Sequence, residues 1–332
     1  MLNLQCKVEI RSKSTNKLVT FDYANSIEVK TSCKNLTDTA TVKVPRKMQW
    51  QGKSLLDYVR RNDEITIKMG YKEYGLETVF NGFVNTVSND TPVVIECENR
   101  MRQFKTVTVK AEVIKNFNIK KFIQKYVPGM TVIGPDIDFG TVTIEEQNLS
   151  QCLDKLMGQF PWFKGFFRDD KFVAVTDLSS LNDNKVITLD PTRNLIKEDI
   201  SYTEKDDVKI AIKAVSILRD NSKIEVVVPD EATAENSDYE QRQLYFPGYT
   251  DAASLKAAAQ KQLDQYCCAK VEGTVTTFGV PFVRKCDIVR LRDEDRPEYN
   301  GDFWVEAVDH SFGNGGYRQK ITLGYKLQHT TI

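Results

Sequence analysis

The stretch NGDFWVEAVDHSFGNGGYRQKITLGYK, residues 300–326, holds one of the two histidines of the chain, His310, just ahead of a glycine-rich tip. Two readings compete for it: a reactive group held on a loop, or an ordinary position in a β-hairpin. Asn314, Gly315 and Gly316 tolerate the positive φ that a tight reversal needs, and Phe312 and Tyr317 flank the turn. Phe303 to Val308 and Lys320 to Leu323 read as the two strands. A hairpin therefore accounts for His310 without chemistry. A catalytic histidine would need a partner base or nucleophile, and the sequence names none.

The same order of features occurs earlier. Residues 62–97 read NDEITIKMGYKEYGLETVFNGFVNTVSNDTPVVIEC. There Asp63 feeds an alternating strand with Ile65 and Ile67, as Asp287 later feeds Val289 and Leu291. Each copy then crosses an irregular charged loop into Asn-Gly, Asn81-Gly82 and Asn300-Gly301. An alternating strand follows (Phe83 to Val87, Phe303 to Val308), then a tip, then a last strand (Val93 to Ile95, Lys320 to Leu323). In this alignment His310 falls at Asn89 or a neighbour, at the edge of a hairpin tip. The pattern predicts a duplicated β-domain.

Working outward, residues 18–23, 26–31, 39–44, 64–69, 77–87 and 92–97 are rich in β-branched and aromatic types, with turn formers between most of them. Short strands at this spacing predict an antiparallel barrel or sandwich, not βαβ units. Between about 100 and 180 the period becomes helical. Phe117, Ile119, Phe122, Ile123 and Tyr126 form one stripe, ended by Pro128-Gly129. Asn148 caps a second stripe of Leu149, Leu153, Leu156, Met157 and Phe160, which Pro161 stops. A hairpin follows, with its turn at Arg168-Asp169-Asp170. From about 186 strands return, interrupted by the acidic loop at 230–238. Thr250 or Asp251 then caps an alanine-rich helix with Leu255, Ala259, Leu263 and Tyr266 on one face.

Together these predict a mainly β protein with an α+β insert: two tandem antiparallel β-barrel domains flanking a small α/β module. The boundaries fall at 1–105, 106–185 and 186–332. The middle module holds two helices and a hairpin, and the last domain includes the helix near 251–268.

Lys+Arg and Asp+Glu balance at 46 each, so no long-range field gathers nucleic acid or an anionic membrane. No signal peptide is read at the N-terminus, and no apolar run approaches a membrane span. The seven cysteines, Cys6, Cys33, Cys97, Cys152, Cys267, Cys268 and Cys286, are scattered and read as buried reduced thiols in a cytosol-made protein. His310 and His329 are too few for a histidine metal site. The acidic run Asp293-Glu294-Asp295 lacks the glycine-spaced ligands of a calcium loop and reads as a solvated loop. No phosphate loop or GxSxG elbow occurs, and GNGG at 313–316 lies between strands rather than opening a helix. No catalytic, cofactor-binding or metal-binding residue is assigned, no cofactor is expected, and the protein is not expected to be an enzyme.

In combination the motifs resemble a family, the baseplate hub proteins of contractile-tailed phages (late-control D and Mu-type 43 kDa tail proteins), related to the hub portion of type VI secretion spikes. NSIEVKTSCKNLTDTATVKVP resembles the family's strand–loop–strand ending at a proline. NDEITIKMGY is similar to its Gly-Asp strand and VFNGFVNTV to its F-x-G-x-I/V motif. GTVTTFGVPFVRKCDIVRL is similar to a G-x-P segment leading to Gly-Asp, and FWVEAVDHSFGNGGYRQKITLGY to the closing hairpin, where such proteins often place a histidine. The chain departs at Asn62-Asp63 and Cys286-Asp287, where the family has Gly-Asp.

The resemblance implies two barrels of the tail-tube type and a structural hub that adapts a six-fold tail tube to a three-fold spike. It implies a homotrimer with tail-tube, central spike and baseplate wedge proteins as partners, without nucleic-acid sequence recognition or membrane insertion of its own. Synthesis would be in the bacterial cytoplasm, followed by incorporation into a virion tail baseplate or injection particle. A competing reading is a carbohydrate-binding or cell-wall-hydrolysing β-protein of a tail tip, with Trp50, Trp162 and Trp304 as candidate groove aromatics.

Overall fold

The computed structural model describes residues 3–137, 139–160, 163–168, 170–176, 181, 186–203, 209–217, 222–230, 238–246, 249–266 and 270–327. The chain divides into two compact units, Met1–Asp199 with Gly273–Ile332, and Ile200–Glu272. Among the described residues no helix is long and apolar enough to cross a membrane.

The first unit begins with β1 (Leu4–Arg11), β2 (Leu18–Phe21), β3 (Ser26–Ser32), β4 (Thr39–Val44), β5 (Glu64–Tyr71), β6 (Gly75–Val87) and β7 (Val93–Glu98). Alternation drives these strands: in β1, Cys6, Val8 and Ile10 point inward while their neighbours are more exposed. The sheet curls until inward residues of all seven strands share one core, among them Val8, Ile27, Val42, Ile67 and Ile95. Each such side chain contributes roughly 1.5–3 kcal/mol by leaving water.

A helical segment follows, with α1 (Met101–Lys105), α2 (Ile119–Tyr126), α3 (Leu149–Gln159), and the hairpin β8 (Lys164–Arg168) and β9 (Lys171–Val175). The Asn118 side chain accepts from the Lys121 amide and starts α2. Asn148 and Gln151 form a reciprocal capping box at α3. Both helices bury their predicted apolar stripes with Phe104, Phe163, Phe167 and Phe172 in a second core. The β8–β9 turn falls where expected, and Asp170 takes φ 63° there; Asp169, Pro161 and Trp162 lie outside the described residues.

After β10 (Val186–Leu189), β11 (Leu195–Thr203) leads out of the first unit. The second unit contains β12 (Ile210–Ile217), β13 (Lys223–Val228), β14 (Glu240–Tyr245) and α4 (Ala252–Tyr266). Strand β12 is central, antiparallel to β13 and parallel to β14. Leu255, Ala259 and Leu263 of α4 pack on Ile210, Ile212, Ala214 and Val228. Asp251, rather than Thr250, caps the helix through the Ser254 amide, at 2.7 Å. The sequence boundaries grouped this helix with the last strands of the chain, but it belongs to a unit with its own sheet and core. The Tyr266 side chain and most of the 230–238 loop are outside the described residues.

The chain returns through β15 (Lys270–Phe278), β16 (Ile288–Leu291), β17 (Gly301–Gly313) and β18 (Gly316–Lys326). Most strands of the first unit make one continuous sheet in the order β15-β18-β17-β3-β4-β7-β6-β5-β1-β2, with β16 pairing β17 on one side and β10 on the other, while β8 and β9 belong to a separate sheet. The protein is thus mainly β, with large antiparallel sheets and tube-like β-domains that share a seam at β3 and β17.

Candidate functional site at the seam between two meanders

Strands β5-β6-β7 and β16-β17-β18 are both antiparallel meanders, and their agreement extends to single hydrogen bonds. Asn62 has φ 72° and Cys286 has φ 67°. The Asn62 amide donates to the Val84 carbonyl at 2.8 Å, and the Val84 amide donates to the Asp63 carbonyl at 2.9 Å. In the second copy the Cys286 amide donates to Val305 at 2.8 Å, and Val305 donates to Asp287 at 2.9 Å. Oδ2 of Asp63 accepts from the Arg60 amide, and Oδ2 of Asp287 from the Arg284 amide, at 2.8 and 2.9 Å. A register shift follows in each case, between Val84 and Thr86 and between Val305 and Ala307. The Asp side chain suits a turn at positive φ, because it accepts from an amide that the turn leaves without a ladder partner.

The Asn-Gly pairs used to align the sequence do not coincide in space. Gly82 faces Ile65, the second residue after its aspartate, whereas Gly301 faces Leu291, the fourth after its own. The aspartate turn and the bulge set the true register, and sequence spacing alone could not distinguish the two.

The other carboxylate oxygen differs between copies. Oδ1 of Asp63 accepts from the Lys13 amide at 2.9 Å, fastening the β1–β2 loop. Oδ1 of Asp287 pairs instead with Arg168 Nη2 of β8 at 3.3 Å. The neighbouring residue differs too: Arg61 is exposed, while Lys285 is buried. Lys285 Nζ reaches Asp38 Oδ1 and Oδ2 at 2.8 and 2.7 Å and the Ser32 carbonyl at 3.2 Å. Asp38 also accepts from Asn99 Nδ2 and the Ser32 amide, both at 3.1 Å. Asp38, Asn99 and Lys285 line a cavity of about 90 Å³ together with Arg100, Arg168 and His310.

His310 sits inside strand β17, paired with Val29 of β3 and Gln319 of β18, and not at the tip. The reversal itself lies between the paired Gly313 and Gly316. The imidazole is 3 % exposed, stacks on Phe282, and has Nδ1 3.1 Å from the Tyr317 hydroxyl. Burial pushes its pKa down to about 3 and pushes the Tyr317 phenol well above its ordinary range, so both are neutral near pH 7. Such a histidine holds a hydrogen bond and fills space. Tyr71 donates to the Tyr317 carbonyl at 3.2 Å, tying the first meander to the second. Gly279 abuts the Tyr317 ring, where an added Cβ would fall 1.9 Å from a ring carbon.

Two features escaped the sequence reading. Gln319 is fully buried, accepts from the Val283 amide at 2.9 Å, and donates to the Phe278 and Pro281 carbonyls at 2.7 and 2.8 Å. Cys33 and Cys286 are joined as a disulfide, which corrects the expectation that all seven thiols are reduced. Cys6, Cys97 and Cys152 are free and buried, and burial pushes Cys6 and Cys152 up to about 11. Cys267, Cys268 and His329 are outside the described residues.

Of the remaining candidates, Trp304 belongs to the buried cluster that holds Cys33 and Cys286, and Asp293 and Trp50 do not. Burial opposes charge on Asp293, but the Arg296 guanidinium and the Asp295 and Arg296 amides outweigh it and hold its pKa low. Its acceptor capacity is spent on its own loop. Trp304 is buried, and Trp50 packs edge-on against Tyr58 with centroids 4.9 Å apart. Among the described residues no three His, Cys, Asp or Glu side chains are grouped to hold a metal.

No protein-family model matches the chain, and no curated protein matches its sequence. Solved structures do match over nearly its whole length. A tail protein from Neisseria meningitidis MC58 is 12% identical with TM-score 0.67, covering 96% of each chain. The prophage MuSo2 43 kDa tail protein from Shewanella oneidensis is 13% identical with TM-score 0.66, over 97% of this chain and 98% of that one. The E. coli c3393 protein, a type VI secretion component structurally similar to the T4 tail proteins gp27 and gp5, is 10% identical with TM-score 0.55. It covers 92% of this chain and 74% of its own. The chain therefore shares the fold of these phage tail proteins.

Proposed function

We propose that this protein is a structural baseplate hub, in which three chains present six tube-type β-domains to a six-fold tail tube and seat a three-fold spike. The observation that carries this reading is the repeated meander, matched through the aspartate turn, the positive-φ residue and the bulge. Two equivalent β-units in one chain let a trimer approximate six-fold symmetry, which a chain with a single unit cannot do. The shared fold of the phage and type VI proteins supports the reading. The site chemistry supports it as well: a neutral buried histidine and paired charges stabilise a shape and offer no poised acid or base.

The natural partners of such an adaptor are copies of itself, a tail-tube protein, a spike and baseplate wedge proteins, in a virion tail or related injection particle. No catalysis is required. Native mass spectrometry of the protein alone and with a candidate spike tests this. A trimer, alone or formed with the spike, is the expected result. A chain that stays monomeric inside the assembled particle would overturn the proposal.

A further inference from the structure

We propose that Cys33 and Cys286 form an oxidant-installed lock that covalently fastens the seam between the two meanders. The argument begins from the comparison of the copies. The turn position at φ 72° in the first copy holds Asn62, a residue type that visits left-handed backbone through local hydrogen bonding. The equivalent position at φ 67° holds Cys286, which has no such aptitude. A strained, fully buried residue persists where its side chain has a task that glycine or asparagine could not perform. Here the sulfur meets Cys33.

Cys33 is placed where a bond matters. It directly follows Ser32, the last residue of β3 paired with β17, and its amide donates to the Glu306 carbonyl at 2.9 Å. The bond joins the end of that ladder to the turn that opens the second meander, across 253 residues of sequence. Closing so long a loop restricts the unfolded chain strongly. Both residues are buried, so exchange with small thiols or disulfides, in either direction, proceeds only when the turn opens locally.

The chemistry needs a two-electron oxidant, and a low-molecular-weight disulfide suffices. One protein thiolate attacks a sulfur of the small disulfide, releasing one small thiol and leaving a mixed disulfide. The second protein thiolate attacks the protein-side sulfur of that bond and releases the second small thiol. Two protein S–H bonds and one small S–S bond are replaced by one protein S–S bond and two small S–H bonds. A reducing compartment keeps the pair as thiols, and an oxidising one closes it.

The test uses the full chain, prepared with its thiols reduced and then exposed to glutathione disulfide or to reductant. Peptide mapping without reduction is expected to give a Cys33–Cys286 cross-linked peptide only in the oxidised sample. Oxidation is expected to raise the urea midpoint by about 1 M, a gain absent from Cys33→Ser and Cys286→Gly. Under reductant, Cys286→Gly is expected to equal or exceed the wild type, because glycine accepts φ 67° freely. Failure of the cross-linked peptide to form from the reduced protein would overturn the proposal. So would a Cys286→Gly variant that is as destabilised under reductant as under oxidant, since Cys286 would then serve packing alone.

Discussion

The two meanders keep the same backbone and use it for opposite ends. In the first, the aspartate turn faces outward around an exposed Arg61 and closes its own β1–β2 loop through Asp63. In the second, the corresponding residues are buried and reach other parts of the first unit: Lys285 to Asp38, Asp287 to Arg168, Cys286 to Cys33. The hairpins diverge likewise. Val87 ends β6 and corresponds to Val308, but β17 continues to Gly313, and this added length, with His310, pairs with β3. A duplicated element can thus keep one copy self-contained while the other acquires the contacts that join them.

The comparison can be broken most severely at Lys285. Lys285→Ala leaves Asp38 as a buried carboxylate without its counterion and is expected to cost about 3–5 kcal/mol by urea denaturation. The equivalent Arg61→Ala is expected to change stability by less than about 0.5 kcal/mol. Equal losses at the two sites would show that burial does not separate the copies.

Asp63→Ala and Asp287→Ala are expected to cost roughly 1–3 kcal/mol each, because each removes the acceptor of a turn amide. The two values should agree within a factor of about two, with Asp287 the larger for its bond to Arg168. An innocuous change at either aspartate would deny that the turns are equivalent.

His310→Gln addresses the added length. Burial holds the folded pKa near 3 while the unfolded chain titrates near 6.5, so between these values only the unfolded state binds the proton. Stability is therefore unaffected above pH 6.5 and falls by about 1.4 kcal/mol per pH unit as pH drops toward 3. The variant is expected to remain folded at pH 7 and to lose this part of the acid slope. An unchanged slope would place the acid sensitivity elsewhere. A modest effect is expected for Tyr71→Phe, which deletes one bond to the Tyr317 carbonyl and should cost about 1 kcal/mol.

Much of the fold was legible because its causes are local. Asn118, Asn148 and Asp251 mark helix starts since a short side chain reaches amides two or three residues ahead. The strands were visible because alternation follows from the pleat. The meander duplication was visible as an order of features, although its register was drawn through the wrong glycines. The seam was not legible. Asp38 and Lys285 are 247 residues apart, and nothing near either one marks it as a partner. Gln319 reads as an ordinary polar strand residue until the 278–283 loop is folded over it.

The sequence by itself determined the class of the protein: β-strands by twofold alternation, a helical interlude by a change of period, and a hairpin around His310 by the glycines beyond it. Only the tertiary structure decided that β17 lies beside β3, which cysteines meet, and which of two equivalent turns is buried. Local preferences act over a few residues and are written in consecutive letters. Pairing across hundreds of residues is chosen by how whole faces pack, and that choice leaves no mark on any short stretch of chain.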